Sequence, residues 1–212
     1  EQMWVLQQEE KYYTAYNEIV SHKVLGEFNL YKFNLAFNRL IEDNESLRTI
    51  FRNINGEGKQ IILKSQGYNI HLIDLTSIAK MEKHAIISDS VMNIARQPFF
   101  LDKWPLFHML LFRLNRDTHI LVYIVHHIIF DAQSEIIMFQ KILENYEALS
   151  AGKKVKEKKH DITYGDYAVW QKKNAYNIYK PQLYYWKKEL KDANFFTFVE
   201  HNKNVIEKGE MC

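Results

Sequence analysis

Cysteine, glycine and proline are scarce in this 212-residue sequence, which contains one cysteine, seven glycines and three prolines. The cysteine is the last residue, Cys212, so the sequence has neither a disulfide framework nor a CxxC metal motif. A cytoplasmic location is the simplest interpretation. No apolar run reaches the roughly 20 residues of a membrane-spanning helix, and the first residues lack the charged and apolar regions that are typical of a signal peptide.

Charge of one sign is also lacking, because 28 Lys and Arg residues nearly balance 26 Asp and Glu residues. The formal net charge of +2 creates no strong field for nucleic acid or an anionic membrane, and we expect neither as a partner. Hydrophobic residues make up 47% of the sequence, enough for the core of one large domain. Because the chain begins with Glu1 rather than Met, we expect a piece of a longer protein.

Apolar residues at helical spacing predict three helices, at residues 30–43, 78–96 and 134–149. For the second helix the predicted core-facing residues are Ile78, Met81, Ala85, Met92 and Ala95. For the third they are Phe139, Ile142, Leu143, Tyr146 and Leu149. The basic segment 152–160 that follows predicts a solvated loop.

Two extended segments, residues 46–54 and 59–64, flank an Asn55-Gly56 pair that is typical of a tight β-hairpin turn. Residues 69–76 predict another short strand. These strands mixed with helices favour a mixed sheet with helices packed on it.

The runs "PLFHMLLFRL" (105–114) and "THILVYIV" (118–125) are almost continuously apolar and are joined by a polar turn. Such runs are typical of central strands that are covered on both faces. The tail is rich in tyrosine and tryptophan between residues 164 and 186, and we expect these rings to pack against the body or against a missing neighbour.

The segment "YIVHHIIFDAQS" (123–134) places two adjacent histidines and an aspartate between the second apolar strand and the third helix. Successive side chains of a strand point to opposite faces, so His126 and His127 cannot both bind one metal ion while the strand continues. One of them can face a cleft while the other packs inward. Asp131 stands just before the helix, where it suits an N-cap.

The residues alone leave two interpretations of this segment open. In the first, both histidines are structural core residues and the aspartate only caps a helix. In the second, one histidine is a general base. The sequence has no GxSxG elbow, P-loop or GxGxxG motif, so an unassisted histidine is the candidate for any chemistry. Such a base suits acyl transfer, in which an amine or hydroxyl attacks a thioester.

The stretch "HHIIFDA" resembles the HHxxxDG signature of the condensation domains of nonribosomal peptide synthetases. This family belongs to a wider group of acyltransferases that includes chloramphenicol acetyltransferase. The stretches "EQMWVLQQ", "NESLRTIF" and "YGDYAVWQ" resemble three further motifs of the family in the right order, and "PLFHMLLFRL" and "YYWKKEL" stand where similar segments do. Together these motifs cover nearly the whole chain.

The resemblance implies an α/β fold, a chloramphenicol acetyltransferase-like two-layer sandwich with a mixed sheet that forms one lobe of a two-lobe domain. Residues 1–190 would be the N-terminal lobe, and residues 191–212 would begin the connection to a missing C-terminal lobe. The implied function is amide formation between an acyl or peptidyl thioester donor and an aminoacyl thioester acceptor. Its partners would be donor and acceptor peptidyl carrier proteins, which carry the phosphopantetheine. The lobe would bind no cofactor or metal itself and would be inactive in isolation.

By match to the signature, the resemblance implies that His127 is the catalytic residue and that His126, Asp131 and Ala132 support it. It also implies a structural salt bridge between Arg48 and Asp131. Three positions depart from the family pattern: Ala132 replaces a glycine, and arginine is frequent at the positions of Gln2 and His108. Three aromatic motif residues are expected to pack rather than to contact substrate, namely Trp4, Tyr167 and Trp170.

Three alternative functions stay open. The lobe could be non-catalytic and dock a carrier protein or a partner subunit, or it could belong to an epimerisation domain. A free-standing acyltransferase that completes its site as a trimer is the third. Heterocyclising relatives have aspartate at both histidine positions, so ring closure is not expected from His126 and His127.

Overall fold

The structure, a computed structural model, describes residues 2–9, 13–155 and 161–193. The chain divides into two compact units, residues 1–165 and 166–212. Part of the predicted basic loop, residues 156–160, and most of the predicted connection, residues 194–212, lie outside the described residues.

The helices and strands follow one another in a mixed order. They are α1 (Gln2–Leu6), β1 (Asn17–Leu25), α2 (Leu30–Asp43), β2 (Thr49–Ile54), β3 (Glu57–Ile62), β4 (His71–Asp74), α3 (Lys80–Ala95), β5 (Phe107–Asn115), β6 (Thr118–His126), α4 (Ala132–Ser150) and α5 (Tyr164–Glu189). Two short 3₁₀ turns, Glu45–Arg48 and His127–Ile129, precede β2 and α4.

The main sheet has four strands in the order β1-β6-β5-β4. Strands β1, β6 and β5 are antiparallel neighbours, whereas β4 runs parallel to β5, so the predicted mixed sheet is confirmed. The two apolar runs form the central strands β5 and β6, and residues 121–126 of β6 are all buried. Since successive residues of a strand face opposite ways, both faces of the sheet are covered at β6.

The two faces of the sheet are covered by different elements. Facing residues of an antiparallel pair share a face, so His22 of β1 lies on the same side as its partner Leu121 of β6. The His22 ring lies 4.0 Å from the ring of Phe139, so α4 covers this side. On the opposite side the ring of Phe99, which follows α3, lies 6.3 Å from the ring of His126.

Helix α2 has the bounds that the sequence predicts, residues 30–43. It begins at an N-cap, Asn29, whose side chain accepts a hydrogen bond from the backbone N–H of Lys32 at 3.0 Å. The periodic apolar face is buried as expected, and it consists of Phe33, Ala36, Phe37, Leu40 and Ile41. Strong periodicity and a good cap agree here, which fixes both ends of the helix.

Helices α3 and α4 exist as predicted, but parts of their predicted core faces are wrong. In α3, Met81 is 93% exposed and Ala85 is exposed, while Val91 is buried. In α4, Leu143 is 54% exposed, whereas Met138 is buried together with the predicted Ile142. Both helices carry apolar residues on more than one side, so periodicity alone does not select the side that packs.

Strands β2 and β3 form the predicted hairpin around a two-residue turn. Asn55 and Gly56 have φ angles of 55° and 82°, the left-handed backbone that such a turn requires. Further along β3, Gly58 lies against the ring of Trp4, and a Cβ atom on Gly58 would stand 2.8 Å from the Trp4 Cδ2 atom. The glycine therefore provides the space that this tryptophan occupies.

Helix α5 makes up most of the described part of the second unit, and none of its side chains is buried. Tyr167 and Trp170 lie side by side with ring centroids 6.0 Å apart, and they are 45% and 53% exposed rather than packed in a core. None of the helices in the described ranges has the length and apolar character that crossing a membrane requires.

Candidate functional site

The two histidines lie where the central strand β6 ends. His126 is the last residue of the strand, and its backbone N–H donates to the Leu106 carbonyl at 3.0 Å. His127 begins the 3₁₀ turn, and its backbone N–H donates to the Tyr16 carbonyl at 2.8 Å. Both backbones are therefore fixed by neighbouring segments.

His126 is fully buried, and its surroundings hold it neutral. Its Nδ1 accepts a hydrogen bond from the backbone N–H of Ile128 at 3.1 Å, so the ring proton is assigned to Nε2, which is buried without a partner among the described residues. Burial, and then the charge of His127, lower the pKa of His126 to about 4. A ring that is neutral at pH 7 and enclosed on all sides suits a structural role.

His127 has the opposite character, because its side chain is 33% exposed and one ring nitrogen is left available. Its Nδ1 lies 2.6 Å from the carbonyl oxygen of Phe130. A carbonyl only accepts hydrogen bonds, so Nδ1 carries the proton and Nε2 of the neutral ring presents a lone pair. This is the arrangement that a general base needs.

Asp131 is the N-cap of α4, as the sequence predicts. Its Oδ1 accepts hydrogen bonds from the backbone N–H of Ser134 at 2.7 Å and from the Ser134 hydroxyl at 2.6 Å. The bond from the Ser134 hydroxyl lowers the pKa of Asp131 most, followed by the bond from the Ser134 backbone N–H. Burial has a smaller effect in the opposite direction, and the charge of His127 lowers the pKa further. The carboxylate therefore fixes the start of α4 directly after the histidine turn.

Ala132, which stands where the family has glycine, is the first residue of α4 and is exposed. Asn55 is the one non-glycine residue of the described ranges that has a positive φ. The backbone at Ala132 therefore lies outside the left-handed region, and its Cβ atom causes no strain of that kind.

The structure does not bring Arg48 to Asp131, and this differs from the expected salt bridge. The Arg48 Nη1 donates to the Leu63 carbonyl at 2.8 Å, and its Nε is buried without a hydrogen-bond partner among the described residues. Within the described ranges no ion pair joins Arg48 to Asp131, whose Oδ1 is used by Ser134. The guanidinium instead ties the 3₁₀ turn before β2 to the residue after β3.

The residue that sequence reasoning missed is Glu18, on the unpredicted strand β1. Its Oε1 lies 3.2 Å from the Nδ1 of His127. Along β1 the less exposed positions alternate with exposed ones, and they are Glu18, Val20, His22 and Val24. Two of these four are polar, which hides the usual apolar alternation of a strand; the two valines four residues apart were the available signal.

The two other departures from the family pattern lie at different places. His108 on β5 is partly buried and stacks on Phe99 with ring centroids 5.2 Å apart, and burial, followed by the nearby His71, lowers its pKa. Gln2 is exposed at the start of α1. In the part of the chain that the structure describes, no three His, Cys, Asp or Glu side chains cluster in a way that could hold a metal ion.

A mixed sheet with helices and a histidine pair at the end of its central strand agree with the chloramphenicol acetyltransferase-like fold that the sequence motifs imply. Comparison with known proteins narrows the class. The chain belongs to the condensation domain family, whose model matches residues 1–203.

Curated relatives are large peptide synthetases. The chain is 34% identical over 176 residues to a linear gramicidin synthase protein of Brevibacillus parabrevis, covering 82% of this chain and 3% of the relative. It is 35% identical over 170 residues to bacitracin synthase 2 of Bacillus licheniformis, covering 80% of this chain and 6% of the relative. The chain thus spans a small fraction of the length of these relatives.

Solved condensation domains share the fold. A mutant of the starter condensation domain of rhizomide synthetase, in a product-released conformation, matches with a TM-score of 0.78 and 21% identity, covering 92% of this chain and 44% of that chain. The first condensation domain of the calcium-dependent antibiotic synthetase, solved with a substrate analogue, matches with a TM-score of 0.77 and 19% identity, covering 91% and 46%. The chain therefore corresponds to about half of each solved domain, which is one lobe.

Proposed function

We propose that this chain is the N-terminal lobe of a condensation domain that forms amide bonds in nonribosomal peptide synthesis, with His127 as its general base. The observation that carries the proposal is the ring of His127, which is partly exposed, with Nδ1 fixed on the Phe130 carbonyl and Nε2 left to take a proton. The family membership supplies the reaction class.

In the proposed reaction the amine of an aminoacyl thioester attacks the carbonyl carbon of an acyl or peptidyl thioester. A C–N bond forms, the C–S bond of the donor breaks, and the donor thiolate leaves. Nε2 of His127 takes the proton that the amine nitrogen loses and then returns a proton to the thiolate. The reaction needs no covalent enzyme intermediate and no metal ion.

The other signature residues hold His127 in place. His126 supports it as a neutral, buried neighbour whose Nδ1 accepts from Ile128 at the turn. Asp131 fixes the first turn of α4, and Ala132 continues that helix without a glycine. Arg48 has a structural role apart from Asp131, because its Nη1 donates to the Leu63 carbonyl.

The proposed substrates reach the lobe on phosphopantetheine arms of a donor and an acceptor peptidyl carrier protein. Residues 1–190 would form the lobe and residues 191–212 would lead to a C-terminal lobe that completes the substrate tunnel. We also propose a cytoplasmic location, because the free thiols of such carriers need a reducing compartment. Holding both substrates between two walls would provide much of the barrier reduction.

The test uses a two-lobe protein in which this chain is joined to the second lobe of a condensation domain. Loaded donor and acceptor carriers are added, and the condensed product is followed by mass spectrometry. Replacing His127 by Ala should lower the rate by about 10²- to 10⁴-fold, the usual contribution of a general base. His84→Ala, at an exposed position of α3, is the matched control and should leave the rate unchanged.

Near-normal amide formation by the His127→Ala protein would refute the assigned role. The 212-residue chain alone should fold and give no condensation with the same carriers. Turnover by the lone chain at the rate of the two-lobe protein would instead favour a self-assembling acyltransferase, and a trimer in solution would agree with that result. Carrier binding without any turnover in the two-lobe protein would favour a docking lobe.

A further inference from the structure

Strand β1 places a carboxylate beside the candidate base. In the β1–β6 register Glu18 faces Val125, two residues before His127. Facing residues share a side of the sheet, so the Glu18 side chain projects on the side that His127 also occupies. Its Oε1 lies 3.2 Å from Nδ1, the nitrogen that carries the proton in the neutral ring.

Glu18 differs from the other titratable groups close to His127 in its hydrogen-bonding and ionic partners. Asp131 contributes a negative charge nearby, but its Oδ1 accepts two hydrogen bonds from Ser134. His126 is neutral because of its burial. Among the described residues no Lys or Arg forms an ion pair with Glu18, so its carboxylate has His127 as its ionic partner.

We propose that Glu18 is a positioning residue for His127: together with the Phe130 carbonyl, which accepts at Nδ1, it orients the ring, and it stabilises the positive charge that the ring gains when Nε2 takes the proton. The Nδ1 proton stays on the ring. This follows the general logic of a base that is oriented by a third group. The catalytic part of this inference rests on the proposed function.

The effect should be concentrated in the transition state. A neutral imidazole interacts weakly with a carboxylate, whereas the imidazolium that forms during reaction interacts strongly. Loss of Glu18 should therefore lower kcat and leave KM unchanged. Because both side chains are partly exposed, 33% and 39%, solvent screening limits the expected loss to about 3- to 30-fold.

The first experiment measures kcat and KM of the two-lobe protein with Glu18→Gln, which keeps the side-chain shape and removes the charge. The chain offers a matched control, because Glu135 lies 3.4 Å from His22 of β1, and the side chains of Glu135 and His22 are 32% and 39% exposed. Glu135→Gln should leave both constants unchanged. Glu18→Asp, which restores the charge, should recover part of the lost kcat. A Glu18→Gln protein whose kcat stays within about twofold of the wild type would overturn the inference.

The second experiment needs no catalysis and uses the 212-residue chain. A double-mutant cycle of Glu18→Gln and His127→Ala is measured by urea unfolding at pH 5.5 and pH 8.5. We expect a coupling of about 2- to 5-fold in the unfolding equilibrium constant, larger at pH 5.5 than at pH 8.5, because the two side chains form an ion pair only when the ring is protonated. Absence of coupling at both pH values would refute the pairing of Glu18 with His127, even if the two-lobe protein condenses substrates. Coupling at pH 5.5 in a chain whose two-lobe protein never condenses would support the pair and refute the proposed function instead.

Discussion

Acidification should destabilise this protein through His126, and the loss can be separated from all other titrations by one substitution. The pKa of His126 falls from 6.5 to about 4 because the ring is fully buried. Between these two values the unfolded chain binds a proton at this position and the folded chain does not. The free energy of unfolding therefore decreases as the pH falls from 6.5 towards 4, and it is unaffected by this group above pH 6.5.

The size of the effect follows from the difference between the two pKa values. The full difference corresponds to about 3 kcal/mol, of which about 2 kcal/mol is lost between pH 7 and pH 4.5. In His126→Asn the side-chain oxygen can still accept from Ile128, but the titrating group is gone. The variant should be less stable than the wild type at every pH, because the smaller side chain leaves a cavity.

The assay is urea denaturation of wild type and His126→Asn at pH 7 and pH 4.5. Between these pH values the free energy of unfolding should fall by about 2 kcal/mol less in the variant than in the wild type. Carboxylates whose pKa is lowered in the folded state, such as Asp131, also lose stabilisation as the pH falls, but they do so in both proteins and cancel in the comparison. An equal loss in the two proteins would show that His126 is not held neutral, and its assignment as the structural histidine would fail.

Three further predictions concern the elements around the site. Asp131→Ala removes the cap of α4 and should lower the free energy of unfolding by about 1 kcal/mol; an unchanged urea midpoint would contradict the cap. Gly58→Ala should displace Trp4 and cost about 1–3 kcal/mol with a shift in tryptophan fluorescence, whereas Gly67→Ala, with open space around it, should do neither. In a double-mutant cycle of Arg48→Ala and Asp131→Ala the two changes in the free energy of unfolding should add within about 0.5 kcal/mol. A larger coupling energy would support the salt bridge that the family motif predicts.

Local rules predict those parts of the fold in which several signals agree. Helix α2 combines a strong apolar period with an asparagine cap, and the β2–β3 hairpin combines two strands with an Asn-Gly turn. The helix has the predicted bounds and the turn lies at the predicted residues, but residues 46–48 form a 3₁₀ turn instead of the start of β2, and β3 lies two residues earlier than predicted. Helix α3 lacks such agreement. Its end was predictable from Pro98, but the side of the helix that packs is set by the sheet and not by the sequence of the helix itself.

The residues of the candidate site differ in how far the sequence indicates their positions. The resemblance to the signature singles out His127, whose catalytic role stays a prediction, and the position of Asp131 just before a helix predicts the cap that the structure shows. Glu18 reaches the same ring from a strand that lies far away in sequence and whose inner face is half polar, so no local pattern indicates it. For Arg48 the family motif predicts a salt bridge with Asp131, whereas the structure shows a hydrogen bond to the Leu63 carbonyl.

The position of β1 at the edge of the sheet has a consequence for the order of folding. Within the described residues β1 has one neighbouring strand, β6, so Glu18 meets His127 only through pairing of segments roughly 110 residues apart. The β2–β3 hairpin closes over two turn residues and should form within microseconds, while the long-range pairing is slow. An outer strand can also detach while the centre of the sheet stays folded, so amide exchange should be faster in β1 than in β5. The carboxylate beside the candidate base would then be the last part of the candidate site to form and the first to be lost.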